Sequence, residues 1–163
     1  MHREHPSRVV RLEGGRLVGY PPAEAEDCTI WFALDDGPDE WEGILGRRID
    51  DHSAEIVGVP IFAYGVNLAD RVTFSESADG AGVATGVLLD AGNFTFRAHF
   101  EGASEPGQHW RPLMTDLEAL GCWFDTWDEE LVAISAAPEH AQEVADYLSM
   151  RQERNELQYE TGR

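Results

Sequence analysis

The sequence predicts an α+β protein, a small SH3-like β-barrel followed by a ferredoxin-like βαββαβ half. Three observations predict it. Between Trp41 and Phe100, short runs rich in aromatic and β-branched residues alternate with Asp, Gly and Pro turns. Past residue 101 the rhythm lengthens into two stretches with helical spacing. An apolar share of 42%, with 10% aromatic residues, supplies enough buried surface for a core despite the charge. The resulting division is a loosely structured N-terminal arm over 1–27, a barrel over 28–92 and the βαββαβ half over 93–163.

The arm shows little periodicity: Val9-Val10 and Leu17-Val18 flank Gly14-Gly15, a possible short hairpin, and Tyr20-Pro21-Pro22 ends regular structure. Thr29–Leu34 reads as the first barrel strand. Glu42–Ile49 and Ala54–Val59 follow, the latter stopped by Pro60. In Asp70–Ser75, Val72 and Phe74 alternate with polar residues, the period of a half-buried strand. Val83–Leu89 comes next. Phe94, Phe96, Ala98 and Phe100 share one face of a strand that begins the second half. Leu113, Leu117 and Leu120 predict a helix over 110–120 that stops at Gly121. Cys122–Thr126 and Leu131–Ser135 form a hairpin, a second helix runs over 138–155, and 157–159 closes as a strand.

Charge is the other strong signal. The chain has 31 acidic residues against 12 arginines and no lysine, a formal charge of −19. Residues 1–16 hold four of the arginines and only two acids, so the body is more acidic still. Such a surface repels phosphate backbones and anionic bilayers, which argues against direct nucleic-acid or membrane binding. No apolar run is long enough to span a bilayer, and no secretory signal is evident, so the expected compartment is the cytoplasm. Cys28 and Cys122 are isolated, which suits reduced thiols used as small hydrophobes.

Two stretches carry a family likeness. Val59-Pro60-Ile61-Phe62-Ala63-Tyr64-Gly65-Val66-Asn67-Leu68-Ala69-Asp70-Arg71-Val72 resembles the central motif of a bacterial family catalogued as domain of unknown function 4265. Leu117-Glu118-Ala119-Leu120-Gly121-Cys122 and the hairpin after it are similar to that family's second half. The resemblance covers roughly 29–160. It implies the fold and a bacterial origin, and brings no activity with it.

Signatures of chemistry are missing at the places that invite them. His99-Phe100-Glu101 has half of a zinc-deaminase pattern, but no later P-C-x-x-C supplies the other ligands. The acidic run Asp35–Glu42 lacks the ligand spacing of a calcium loop. Gly80–Gly86 has neither the spacing nor the following helix of a phosphate loop. No serine sits in a nucleophile elbow. No catalytic residue, metal site or cofactor is therefore expected.

What remains is an acidic binding surface. Asp35, Asp36, Asp39 and Glu40 beside Trp41 form one patch; Asp125, Asp128, Glu129 and Glu130 around Trp127 form another. A tryptophan amid carboxylates combines an anchor with steering charge. The expected function is a non-enzymatic protein that neutralises a basic partner, such as a toxin or a nucleic-acid-binding protein. Its most concrete form is an immunity or antitoxin-type inhibitor of a cationic bacterial toxin. The alternative is a small-molecule enzyme or sensor with a cleft between the halves, using Tyr64, Asp70, Glu101 and His109.

Overall fold

The computed structural model describes residues 1–21, 27–102 and 107–162. Two sheets make up the chain, one closed into a barrel and one open. The barrel strands are β4 (Asp27–Ala33), β5 (Trp41–Arg48), β6 (Ser53–Ile56), β7 (Arg71–Glu76) and β8 (Gly82–Leu89). They pair in the circuit β5-β4-β8-β7-β6, and β6 returns to β5 to close it. The β4–β8 seam is parallel, with Ile30 opposite Gly82 and Trp31 opposite Val83. Register shifts in the β7–β8 pair supply curvature. Inside lie Ile30, Ile44, Ala54, Ile56, Val72 and Phe74.

The open sheet contains β2 (Val10–Glu13), β3 (Arg16–Gly19), β9 (Phe94–His99), β10 (Trp123–Thr126), β11 (Leu131–Ala136) and β12 (Gln158–Thr161). Its order is β12-β9-β11-β10-β2-β3. Helix α1 (Trp110–Leu117) continues as a 3₁₀ turn to Leu120, and α2 spans Ala141–Glu153. Both helices pack on one face. There Phe96, Ala98, Phe100, Phe124, Val132 and Ile134 meet Leu113, Met114, Leu117, Val144 and Leu148 in one core.

The first residues differ from the expected loose arm. β1 (His2–Glu4) pairs in parallel with β5, Arg3 opposite Glu42, as an added strand on the barrel. β2 and β3 form a hairpin across Gly14 and Gly15, whose φ values of 58° and 76° suit a turn with two left-handed residues. That hairpin joins the open sheet through Val10 opposite Phe124. The segment therefore crosses from one sheet to the other at His5. The hairpin is the one expected around Gly14-Gly15, whereas the partners that tie β1 to β5 and β2 to β10 lie far along the chain and leave no local mark. Residues 22–26 of the arm lie outside the described residues, as do 103–106 of the loop before α1.

Candidate functional site

Residues 57–70 connect β6 to β7 without a strand or helix of their own, yet most of them are buried. A buried loop must find partners for its backbone amides. Here carboxylates supply them. Glu42, on β5 and fully buried, accepts from the Ile61 amide at 2.7 Å and, with its other oxygen, from Phe62 at 3.0 Å and Ala63 at 2.6 Å. Asp125, on β10 and 1% exposed, accepts from the Val59 amide at 3.1 Å. The Val57 amide still donates to the Leu45 carbonyl at 2.9 Å, and from Val59 onward the loop amides turn to side-chain oxygens, so the ladder does not reach Val59. Gly58 lies where a Cβ would come within 2.6 Å of Ile44, so the approach demands glycine.

His5 joins the two carboxylates. Its Nε2 lies 2.6 Å from Glu42 and its Nδ1 2.8 Å from Asp125, with the ring almost enclosed. Burial pushes the imidazole pKa down, but hydrogen bonds and charges from both acids outweigh it and raise the value to about 9. Burial likewise opposes ionisation of Glu42. His5 and the Ile61 and Ala63 amides overcome that and hold its pKa below the ordinary value. The result is a cationic imidazole bridging an acid of the barrel and an acid of the open sheet.

The far end of the loop is tied in the same manner. Asp70 accepts from the amides of Asn67 and Ala91, both at 2.8 Å. Thr95 donates to the Asn67 side chain at 2.8 Å, and Asn93 donates to the Leu68 carbonyl at 2.9 Å. Arg97, 3% exposed, donates through Nη2 to the Ala63 carbonyl at 2.5 Å. Its guanidinium lies under the Tyr64 ring, 4.5 Å from the centroid, and Nη1 is 3.6 Å from Glu160.

The sequence-predicted residues fall into different environments. Asp125, expected on an exposed partner face, is buried in the His5 bridge. Trp127 is half-buried, edge-on to Phe62 at 5.1 Å and to His5 at 6.3 Å. Its neighbours hold loops: Asp128 accepts from the amides of Glu130 and Leu131, Glu129 from Gly107 and Glu130 from Gly102. Asp35, Asp36 and Asp39 are exposed, with Glu40 and Trp41 half-buried beside them. Arg3 pairs with Asp36 at 3.8 Å and Glu40 at 3.0 Å. His2 sits against both Trp31 and Trp41, at 5.2 and 6.4 Å between rings.

Tyr64, Asp70, Glu101 and His109 do not converge. Tyr64 is exposed and donates to Glu160; Asp70 is buried in the loop ties; His109 stacks on Phe100 at 5.3 Å; Glu101 lies on the surface. A cleft between loop and sheet does exist, lined instead by Ile61, Phe62, Arg97, His99, Leu131 and β12. His99 and Glu101 are exposed on the strand face opposite Phe96 and Phe100, whereas Thr95 and Arg97 on that same face, which the sequence did not single out, are buried. His5, Glu42 and Arg97 were missed as well. The available signal was an arginine in the middle of a strand whose other face is wholly apolar.

Burial alone raises the Cys122 thiol to about 12, and Cys28 is also raised by burial; both are unpaired. Among the described residues, no group of three or more His, Cys, Asp or Glu side chains is arranged to hold a metal ion. None of the described helices is long and apolar enough to cross a membrane.

Among solved structures, the chain is similar to one described as a novel crystal structure of a hypothetical protein from Neisseria gonorrhoeae. The TM-score is 0.68 at 17% identity, covering 87% of this chain and 96% of the other, a likeness of fold. Comparison with curated proteins gives no match. A family model described as Domain of unknown function (DUF4265) matches residues 42–159, which contain Glu42, the buried loop, Arg97 and Asp125. The chain belongs to that family.

Proposed function

We propose that the protein is a cytoplasmic, non-enzymatic acidic binding protein that neutralises a basic protein partner, in its most concrete form an immunity or antitoxin-type inhibitor of a cationic bacterial toxin. The observation that carries this reading is the acidic turn over 34–40 next to an aromatic cluster. Asp35, Asp36 and Asp39 are exposed, and the half-buried rings of Trp31 and Trp41 lie beside them. Tryptophan gives contact area at low entropy cost, while the carboxylates steer a cationic partner and fix its register. Arg3, Arg8, Arg11, Arg47, Arg48 and Arg151 sit on carboxylates, which reduces the positive charge they offer. The second acidic patch contributes less than its sequence suggests. Asp125 is unavailable, and Asp128, Glu129 and Glu130 accept backbone amides.

The finer architecture belongs to the same reading. We class the barrel as SH3-like and the half over 93–163 as ferredoxin-like. The strand order β12-β9-β11-β10, antiparallel throughout with helices on one face, supports the second assignment.

The test compares wild type with an Asp35→Arg/Asp39→Arg variant as bait in native lysate at low salt. The reading predicts one stoichiometric basic protein, eluted by salt from wild type and lost from the variant. With that partner purified, charge reversal slows association about tenfold or more. Retention of the same partner by the variant, or a salt-independent association rate, contradicts it.

A further inference from the structure

The buried face of the open sheet carries an observation that the partner reading does not use. Arg97 is a cation with 3% exposure, and among the described residues neither its Nε nor its Nη1 has a hydrogen-bond acceptor. A guanidinium carries five N–H donors, and leaving buried donors unmade is costly. Its one direct bond goes to Ala63, and its carboxylate neighbour Glu160 stands off at 3.6 Å with about half its side chain exposed. The cleft that Arg97 lines has a volume of about 300 Å³ and walls from Ile61, Phe62, Leu131 and Tyr159. Its lining residues His99, Gln158 and Tyr159 also border a larger opening of about 530 Å³ bounded by Glu101, Gln152 and Glu156. The lining thus sets one cation, Arg97, beside Glu160, His99 and Gln158 among apolar walls, and apolar walls with a few convergent polar groups are the usual make-up of a small-ligand site.

We propose that this cleft between the loop and β9–β12 binds a small organic monocarboxylate with an aromatic or apolar body, its carboxylate replacing Glu160 at Arg97 Nη1 and its body lying on Phe62 and Leu131. A monoanion fits because one guanidinium faces the cleft and acidic side chains rim it; a polyanion would meet Glu101, Glu156 and Glu160. The chain's remaining negative charge is screened beyond about 8 Å at physiological salt, so the local cation governs recognition. Tyr64 covers the guanidinium and is tethered through its hydroxyl to Glu160. Displacing Glu160 therefore also frees Tyr64 from its tether.

The experiment is a titration of the full chain with sodium benzoate, followed by amide and arginine Nε–H resonances at constant ionic strength, with benzylamine as the opposite-charge control. Saturable shifts are expected at Phe62, Arg97, His99 and Gln158, with a dissociation constant of about 1 mM for so small a probe. Glu160→Gln removes the competing carboxylate and tightens binding about threefold or more; Arg97→Gln weakens it at least tenfold; benzylamine gives no saturable shift. Absence of saturable shifts in both wild type and Glu160→Gln overturns the proposal. So does unchanged affinity in a folded Arg97→Gln protein, or equal binding of benzylamine. If Arg97→Gln does not fold, Glu160→Gln decides alone, and unchanged or weaker binding there is the contrary result.

Discussion

The two faces of the open sheet are buried by different physics. Against the helices, Phe96, Phe124, Ile134, Leu113 and Leu148 fill space with apolar volume, and no charge enters that cluster among the described residues. Against the barrel, Val59, Ile61, Leu68 and Ala133 form a smaller apolar cluster, and buried carboxylates do the rest of the positioning. A face packed by volume tolerates changes of shape, whereas a face held by hydrogen bonds depends on each partner being present. The difference teaches that a loop without regular structure is placed here as firmly as a strand, through side chains that stand in for a β-ladder.

Perturbations of each face break or sharpen that contrast. The largest loss falls on the polar face. Glu42→Ala leaves His5 charged and three buried amides unbonded, and costs about 4–5 kcal/mol by urea unfolding; a loss under about 1 kcal/mol would make the ties decorative. On the apolar face, Leu148→Ala opens a cavity and costs about 3 kcal/mol, with the loop amides still protected from exchange.

The His5 bridge adds a dependence on pH that the helix face lacks. A histidine whose pKa is raised on folding stabilises fully below its unfolded value near 6.5 and loses that contribution as pH climbs through about 9. Wild type therefore loses about 2–3 kcal/mol between pH 6.5 and 9.5. His5→Gln starts less stable and changes little over that window; parallel curves for the two proteins would remove the bridge from the account. A smaller effect, about 1 kcal/mol, follows from Asp128→Ala, which strips two amides of their acceptor in the β10–β11 turn. Asp35→Asn changes stability by less than about 0.5 kcal/mol, and its influence is read in association rate.

Much of the volume-packed face was legible in the sequence. Phe96, Ala98 and Phe100 at every second position, and Leu113 and Leu117 one turn apart, state their own partners by period. Gly121 ends the first helical stretch with φ 65°, although its last turn tightens to 3₁₀. The polar face was opaque because its partners are single residues from distant segments. His5, Glu42 and Asp125 have no common period, and Asp125 looks like one more member of an acidic hairpin. Trp127, expected as the anchor of a partner face, turns inward for a related reason: its partner Phe62 lies 65 residues earlier. The exposed turn over 35–39 was readable, since dense carboxylates with Gly and Pro leave no core to enter.

The most direct measurement is native-state amide hydrogen exchange at Val59, Ile61, Phe62 and Ala63, in wild type and in Glu42→Gln. Side-chain clamping predicts protection of these loop amides close to that of β9 and β11 in wild type, and its selective loss at Ile61, Phe62 and Ala63 in the variant. Exchange in wild type as fast as in the exposed turn over 35–39 would contradict the central claim that buried carboxylates hold this face.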